Sequence, residues 1–365
     1  MAPFASVPEQ PEAKRLLEAA LADGPAHAYL FHGPAGVGKR TAALAFAAAL
    51  LGEERRVLAR THPDLYVLEP LGEMIRIDDV RALRRDLHLR PFEAERRVYL
   101  VLDAHRMNED AADALLKDLE EPPAFAVLVL VASELGPLPA TIVSRCQLVP
   151  FRRLSERAVR EWVAARAPER SAEEVRVLAR AAAGRLDRAR RLLDPAAVAR
   201  REALVAAARS VYADPALDPG EAAAVLLAAA GERAAEAKER EQELVAGLDL
   251  PPREAEQRVR RAERGAEREE LLAGLETLEA WYRDLVVVSA GAEAAAAHAD
   301  RLEALRTDAA RIATEGAVAA AEAVRETWRA LEELNLNPSL ALEALFVRLQ
   351  RELRAGRPAP AQPVS

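Results

Sequence analysis

A glycine-rich segment that ends in a lysine is the first candidate for chemistry in this sequence. Residues 33–39 read GPAGVGK, and they follow a short apolar run and precede an alanine-rich helical stretch. In a loop of this kind the backbone N–H groups converge in front of a helix N-terminus, where the helix dipole also favours anions. We therefore expect phosphate groups to bind to three glycines and one lysine, namely Gly33, Gly36, Gly38 and Lys39.

The residue after the lysine departs from the Walker A pattern G-x-x-x-x-G-K-[ST]. That pattern supplies a Ser or Thr hydroxyl to Mg²⁺, whereas Arg40 stands at this position here. Thr41 comes one residue too late to replace the hydroxyl, because one step along a helix rotates a side chain by about 100°. The sequence thus predicts phosphate binding without the usual magnesium ligand. A glycine-rich turn that binds no ligand is the alternative interpretation.

Two further candidates follow apolar runs of strand length. Asp103 follows the run 98–102 and could hold Mg²⁺ through a water molecule. Ser133 follows the run 127–131. A hydrolytic site of this architecture normally adds a glutamate that orients the attacking water, but Ala104 occupies that position. Because phosphoryl transfer relies on positioning and electrostatic stabilisation, we expect the chain to hydrolyse no ATP by itself.

Arg145 is a candidate for chemistry away from this loop. It lies in the triplet Ser-Arg-Cys at 144–146, after a short helix predicted for residues 139–143. At the edge of a domain, such an arginine could reach the nucleotide of a neighbouring protein, an effect worth about 10³–10⁵ in turnover. A surface salt bridge is the alternative interpretation of Arg145. Cys146 is interpreted as a partly buried packing residue.

Composition and charge restrict the class of protein. The 365 residues have room for two or three domains, and the apolar share of 51% is rich in alanine, which favours helices. The formal net charge of −8 argues against a free-standing DNA-binding protein, which would normally be basic. A single cysteine excludes a disulfide framework. No signal peptide and no apolar run of roughly 20 residues is found, so we expect a cytoplasmic protein without membrane contact.

The order of the predicted elements indicates an α/β fold followed by helices. Up to about residue 150, short apolar runs alternate with helical segments, which is typical of a parallel sheet with helices on both faces. Ligands bind outside the carboxyl ends of such strands. The loop at 33–39, Asp103 and Ser133 all fall at such ends. From Leu154 onward the strand signal nearly vanishes.

Changes in this pattern predict the domain boundaries. Residues 1–151 are predicted to form the P-loop domain, residues 152–199 a small helical lid, and residues 200–355 an all-α domain. The tail at 356–365 should be disordered. The stretch 231–270 is rich in Glu and Arg, and we interpret it as an exposed, solvated helical hairpin.

Several of these segments resemble the clamp-loader branch of the AAA+ family of P-loop proteins, most closely the delta-prime (δ′) subunits of bacterial DNA polymerase III. The likeness covers nearly the whole chain, from residue 7 to about residue 353. Its most specific part is the pair formed by LLKDLEEPP at 115–123 and the Ser-Arg-Cys triplet. The matching segments are 27–39, 61–65, 114–123, 142–146, 281–285 and 336–345.

This resemblance implies an AAA+ module, a lid, and a helical collar that joins a five-membered ring with γ/τ and δ clamp-loader subunits. That ring opens the sliding β-clamp and closes it around primed DNA. In this family the δ′ subunit has a degenerate ATP site, and its Ser-Arg-Cys arginine serves the adjacent motor subunit, which matches Arg145 here. Arg188 matches the lid arginine that contacts phosphate in active relatives. Whether the loop around Lys39 still holds ATP with Mg²⁺ is left open.

A zinc site is the feature of many relatives that this sequence lacks. Those relatives carry four zinc-binding cysteines between the P-loop helix and the segment that corresponds to 61–65. Residues 52–60 read GEERRVLAR here, so no zinc is expected.

Two alternative functions remain open at this point. The first is an active ATPase of the γ/τ type, or another AAA+ remodeller, although Arg40 and Ala104 count against it. The second is a DNA-binding module that uses a basic strip, which we interpret as largely a solvated helix face. The arginines of this strip are Arg76, Arg81, Arg84, Arg85 and Arg90.

Overall fold

The structure divides into two compact units. It is a computed structural model, and it describes residues 3–354 apart from 71–73, 134, 137, 249 and 334–335. One unit comprises Met1–Arg170 with Ala182–Ala189, and the other comprises Ser171–Ala181 with Arg190–Ser365. The predicted tail at 356–365 lies outside the described residues. The division into three domains at residues 151 and 199 stays a prediction.

A five-stranded parallel sheet forms the centre of the first unit. Its strands lie in the order β2–β3–β4–β1–β5, and every neighbouring pair is parallel. The strands β3 and β4 are buried along their whole length, as expected for strands covered on both faces. The α/β fold predicted from the sequence is thus confirmed. The strands are β1 Ala28–His32, β2 Leu65–Leu68, β3 Arg97–Val101, β4 Ala126–Ala132 and β5 Gln147–Pro150.

Helices cover both faces of this sheet. Successive side chains of β1 point to opposite faces, so Phe31 enters one hydrophobic cluster and Leu30 the other. Helices α1 and α2 contribute to the first cluster, and α4 and α5 contribute to the second. The helices of this unit are α1 Pro11–Asp23, α2 Lys39–Leu51, α3 Glu54–Leu58, α4 Ile77–Leu87, α5 Glu109–Glu120, α6 Ala140–Val143 and α7 Glu156–Ala164. A 3₁₀ turn at Ala104–Arg106 follows β3.

One hydrophobic cluster, formed by residues between 204 and 353, lies in the second unit, which is built from helices. They are α8 Ala172–Ala181, the end of α9 Leu186–Leu193, α10 Pro195–Ala213, α11 Pro219–Ala246, α12 Pro252–Ser289, α13 Leu302–Ala309, α14 Thr314–Glu333 and α15 Pro338–Arg354. Short 3₁₀ turns at Glu293–Ala295 and Ala299–Arg301 lie between α12 and α13. Although α12 is long, no helix in the described ranges is both long enough and apolar enough to cross a membrane.

The charged stretch 231–270 lies in the helices α11 and α12. Lys238 pairs with Glu263 at 3.0 Å, and Arg258 pairs with Glu241. Along α11, the residue at 238 pairs with 263 and the residue at 241 pairs with 258, so the pairing partner moves back along α12. The two helices therefore run antiparallel. The stretch is therefore a helical hairpin whose two arms are joined by ion pairs.

The segment 281–285, one of those that resemble the family, lies in the core of the second unit. Trp281 and Asp284 are fully buried. The Asp284 carboxylate accepts the backbone N–H groups of Ala297 and His298 at 3.0 and 2.7 Å, and it lies 2.9 Å from His298 Nδ1. These bonds anchor the chain that follows α12 to that helix, so this part of the likeness reflects core packing.

Asp64, in another segment that resembles the family, holds a loop of the first unit. It is fully buried, and its carboxylate accepts the N–H groups of Phe92, Glu93 and Ala94 at 2.7, 2.9 and 2.9 Å. Burial alone would raise the pKa of this carboxyl, but the three N–H groups and Arg97 lower the pKa overall. The loop thus depends on the ionised form of Asp64.

Replacing Asp64 by Ala should lower the free energy of unfolding by about 3 kcal/mol, because three N–H groups lose their acceptor. Asp113 is exposed on α5, so the control Asp113→Ala should change this free energy by no more than about 0.5 kcal/mol. Because folding lowers the pKa of Asp64, its contribution is complete above the unfolded pKa of about 3.9 and is lost as the pH falls through the folded pKa. Urea unfolding at pH 7 and pH 3 measures both effects. An Asp64→Ala chain as stable as the wild type at pH 7 would contradict this account.

Candidate functional site

The glycine-rich loop lies between β1 and α2, at the carboxyl edge of the sheet. Its three glycines have positive φ angles, 133° at Gly33, 72° at Gly36 and 99° at Gly38, which side chains with a Cβ atom rarely adopt. A Cβ atom at Gly33 would also lie 2.1 Å from the carbonyl oxygen of Phe151. Position 33 therefore requires glycine for two reasons, the positive φ angle and the close approach of the chain that follows β5.

Lys39 begins α2 and folds back over the loop. It is 6% exposed, and its Nζ donates hydrogen bonds to the carbonyl oxygens of Gly33 at 2.6 Å and Pro34 at 2.5 Å. Burial lowers the pKa of Lys39 to about 8, although the carboxylates of Asp103 and Asp187 oppose this shift. The ammonium group is thus held inside the loop, close to two acidic side chains.

Arg40, at the position of the magnesium-binding hydroxyl, is engaged by an acidic residue. Its guanidinium forms an ion pair with the carboxylate of Glu69, which follows β2. Glu69 also contacts Arg60 at 3.0 Å. Thr41 is exposed on α2. The position that supplies a metal ligand in other loops of this type therefore holds a guanidinium paired to a carboxylate.

Asp103 and Ser133 follow the neighbouring strands β3 and β4. Asp103 has φ 53° and ψ 43°, a left-handed conformation that aspartate adopts more readily than most residues. Ala104 beside it is fully buried. The N–H of Ser133 donates to Nδ1 of His105 at 3.3 Å, which links the segments after the two strands. The structure thus brings Asp103 near Lys39 and joins Ser133 to the turn after Asp103.

Arg188 lies in the segment 182–189, which packs on the loop. The N–H of Leu186 donates to the carbonyl oxygen of Gly36 at 2.8 Å. The side chain in contact with the loop here is Asp187, since a Cβ atom at Gly36 would lie 1.8 Å from Asp187 Oδ1. The N–H of Arg188 donates to this same oxygen at 2.9 Å. The predicted phosphate-binding arginine is therefore preceded by a carboxylate that reaches the loop.

Asp187 was not among the residues predicted from the sequence, because the family motif matched its neighbour Arg188. Its local signal is a negative charge in the first turn of α9, which is a common preference at the start of a helix. Arg185 donates two hydrogen bonds to this carboxylate, at 3.1 and 2.6 Å. Three charged side chains thus act on Lys39 at the loop, namely Asp103, Asp187 and Arg185.

Arg145 follows α6, and its guanidinium is bonded within the chain. Nη1 donates to the carbonyl oxygen of Thr141 at 2.9 Å, and Nη2 donates to Oε1 of Glu120 at 2.5 Å. The side chain of Arg145 is 33% exposed and that of Glu120 is 50% exposed. The salt bridge that was the alternative prediction for Arg145 is thus present, in a position open to solvent.

The loop and Arg145 lie at opposite edges of the sheet. The strands β1 and β5 are parallel, and Tyr29 pairs with Gln147. Arg145 therefore lies near the level of His27, beyond the amino end of β1, whereas the loop begins at Gly33 after its carboxyl end. About six residues of extended chain separate these levels, which corresponds to about 20 Å. Arg145 is thus too far away to act on a phosphate in the loop of its own chain.

The predicted basic strip lies on and around α4, and part of it is paired. Arg81 pairs with Asp78 at 3.2 Å, and Arg84 pairs with the buried Asp118 at 2.5 Å. Two of the arginines in the strip are thus engaged by carboxylates of their own chain. An open pocket on this face is lined by Arg81, Arg84, Arg85 and His88.

Cys146 lies in one of the two hydrophobic clusters of the first unit. It is 9% exposed, and burial raises the pKa of its thiol to about 12. Since the thiolate is the reactive form, such a thiol is a poor nucleophile at neutral pH. Its contribution is packing next to Arg145.

The first unit has recognisable relatives. Residues 9–155 match the family model described as DNA polymerase III, delta subunit. Two curated relatives named DNA polymerase III subunit delta′ are similar: that of Bacillus subtilis is 34% identical over 165 residues, and that of Pseudomonas aeruginosa is 39% identical over 168 residues. Each match covers 42% of this chain and 50% or 51% of the relative, so the chain spans about half the length of these curated relatives. The resemblance to the delta-prime clamp-loader subunits is thereby confirmed for this part of the chain.

Two further similarities are to a curated tau subunit and to a solved structure. DNA polymerase III subunit tau of Bacillus subtilis is 31% identical over 159 residues, which cover 40% of this chain and 28% of that protein. A solved structure described as a DNA polymerase III gamma subunit-related protein from Thermotoga maritima is 17% identical, with a TM-score of 0.38. That match covers 94% of this chain and 100% of the other.

The titration of Lys39 provides a test of the loop geometry. The ¹³C NMR signal of its Cε should titrate with a midpoint at about 8, because burial disfavours the charged amine. Lys238 is 44% exposed and provides a reference signal in the same spectra. A midpoint for Lys39 at or above the ordinary lysine value of about 10.4 would contradict its burial in the loop.

Proposed function

We propose that this chain is a clamp-loader subunit of the delta-prime type, which hydrolyses no ATP itself and supplies Arg145 to the nucleotide of the adjacent motor subunit. The observation that supports the proposal is the separation of the glycine-rich loop from Arg145 within one chain. The phosphate-binding loop lies at the carboxyl edge of the sheet, and Arg145 lies about 20 Å away at the amino edge. An arginine in that position serves a nucleotide that another subunit presents.

In a ring, the carboxyl edge and the amino edge of the sheet would each face a neighbouring subunit. In a ring built from head-to-tail contacts, each subunit uses one surface toward one neighbour and a different surface toward the other. The amino edge with Arg145 would then face the nucleotide loop of a neighbour. The partners that the resemblance implies are γ/τ and δ subunits, and the ring would act on the sliding β-clamp and primed DNA. The names of the relatives, subunit delta′ and subunit tau of DNA polymerase III, support this choice.

The bond between Arg145 and Glu120 is compatible with a role in a neighbouring site. Both side chains are open to solvent, and exposed ion pairs contribute only about 0–1 kcal/mol. An arginine that stabilises a phosphoryl-transfer transition state contributes about 10³–10⁵ in rate, or about 4–7 kcal/mol. The guanidinium can therefore leave Glu120 when a neighbour presents a nucleotide.

The chain's own loop lacks two groups that hydrolysis needs. Arg40, paired with Glu69, stands in place of the hydroxyl that would bind Mg²⁺. Ala104 stands in place of the glutamate that would orient the attacking water. Since catalysis of phosphoryl transfer relies on such positioning, both losses favour a non-hydrolysing subunit over an active ATPase of the γ/τ type.

The proposal includes the domain division drawn from the sequence. Residues 1–151 would serve as the AAA+ module, residues 152–199 as the lid, and residues 200–355 as the collar that joins the ring. A collar requires a surface for other subunits, and apolar side chains exposed on α14 and α15 are suited to such contacts. These side chains are Val318, 44% exposed, Leu340, 66% exposed, and Val347, 55% exposed.

The purified chain should release no phosphate from ATP above background when Mg²⁺ is present. Lys39→Ala is the control for contaminating ATPases, and both proteins should give the same background rate in a steady-state phosphate-release assay. Turnover by the wild-type chain that disappears in the Lys39→Ala variant would contradict the proposal and favour the γ/τ alternative.

Arg145→Ala should leave assembly of the ring unchanged in size-exclusion chromatography, because the side chain is partly exposed and its ion pair with Glu120 contributes little. ATP hydrolysis at the neighbouring site should fall about 10³-fold or more, and clamp loading by the reconstituted complex should fall with it. Arg160 is exposed on α7, so Arg160→Ala is the matched control and should leave both activities unchanged. If the Arg145→Ala complex hydrolyses ATP at that site and loads clamps at the wild-type rate, the assignment of Arg145 is wrong.

A further inference from the structure

The contact between α9 and the phosphate-binding loop is formed by a carboxylate. Asp187 Oδ1 lies so close to Gly36 that a Cβ atom on this glycine would come within 1.8 Å of it. The backbone fixes this approach, because the N–H of the preceding residue, Leu186, donates to the carbonyl oxygen of Gly36 at 2.8 Å. The N–H of Arg188 and the guanidinium of Arg185 hold the carboxylate in place.

Charged side chains of both signs act on Lys39 in the loop. Lys39 and Arg185 supply two positive charges, and Asp103 and Asp187 supply two negative charges that act on Lys39. A loop that binds phosphate normally attracts an anion through its N–H groups, the helix dipole and the lysine together. Here the lysine already has two carboxylates within electrostatic reach, so a nucleotide meets negative charge beside the loop.

We infer that Asp187 acts as a built-in anion of the phosphate-binding loop and determines whether nucleotide phosphates bind there. The phosphates of ATP have to displace the Asp187 carboxylate from Gly36 or bind next to it, and either event is unfavourable because like charges repel. The carboxylate is 32% exposed, so a ligand can compete with it. This inference rests on the phosphate-binding geometry of the loop and makes no use of Arg145 or of ring assembly.

Asparagine at position 187 separates the charge of the carboxylate from its shape. Its side chain retains an oxygen that can accept the N–H of Arg188, so the start of α9 should keep its conformation. The negative charge next to Lys39 is removed. Asp113→Asn, at an exposed position on α5, is the matched control because it changes the net charge of the chain by the same amount at a site away from the loop.

The test is a calorimetric titration of the full chain with ATP, and separately with inorganic tripolyphosphate, both in the presence of Mg²⁺. Asp187→Asn should bind both ligands at least about tenfold more tightly than the wild type, whereas Asp113→Asn should match the wild type. Adding Lys39→Ala to Asp187→Asn should abolish the gain, because the phosphates then lose the lysine. Equal affinities of the wild type and Asp187→Asn overturn the inference, and so does the absence of binding in both.

A second readout tests whether Asp187 acts on the loop through its charge. Because the carboxylate opposes the lowering of the Lys39 pKa, Asp187→Asn should move the midpoint of the Lys39 Cε titration to lower pH, with no such shift in Asp113→Asn. An unchanged midpoint overturns the inference. Failure here leaves the proposed function intact, since that proposal is tested by the Arg145→Ala complex, and failure of the Arg145 test leaves these titrations unaffected.

Discussion

The parallel pairing of β1 with β4 and β5 is the constraint on which the rest of the site depends. It places the glycine-rich loop after the carboxyl end of β1, and it places Arg145 before the amino end of β5. Because strands in one parallel sheet share a direction, these two features cannot exchange edges without breaking the sheet. A single chain therefore presents the glycine-rich loop on one side and Arg145 on the other, as the proposed place in a ring requires.

In and beside the loop, charged side chains contact groups of their own chain. Lys39 bonds to the loop's own carbonyl groups, Arg40 pairs with Glu69, and Asp187 lies against Gly36. Each arrangement satisfies a charge or a hydrogen-bonding group inside the chain. The loop thereby keeps its shape as part of the folded unit, which is compatible with the proposed role without hydrolysis.

The sequence predicted the elements of the first unit well, and it predicted the contacts between side chains poorly. The apolar run 127–131 is observed as the strand Ala126–Ala132, because a strand buried on both faces leaves a continuous apolar signal. The pairing of Arg40 with Glu69 was not predicted, and neither was the position of Asp187. Those residues are far from their partners in the sequence, and local periodicity contains no information on which of them meet after folding.

The most direct test of the account is a structure of the assembled complex with a non-hydrolysable ATP analogue in the adjacent subunit. The account predicts that the Arg145 guanidinium has left Glu120 and lies within hydrogen-bonding distance, about 3 Å, of an oxygen of the γ-phosphate. An assembled complex in which Arg145 still pairs with Glu120, with the neighbouring phosphate far from it, would contradict the central claim.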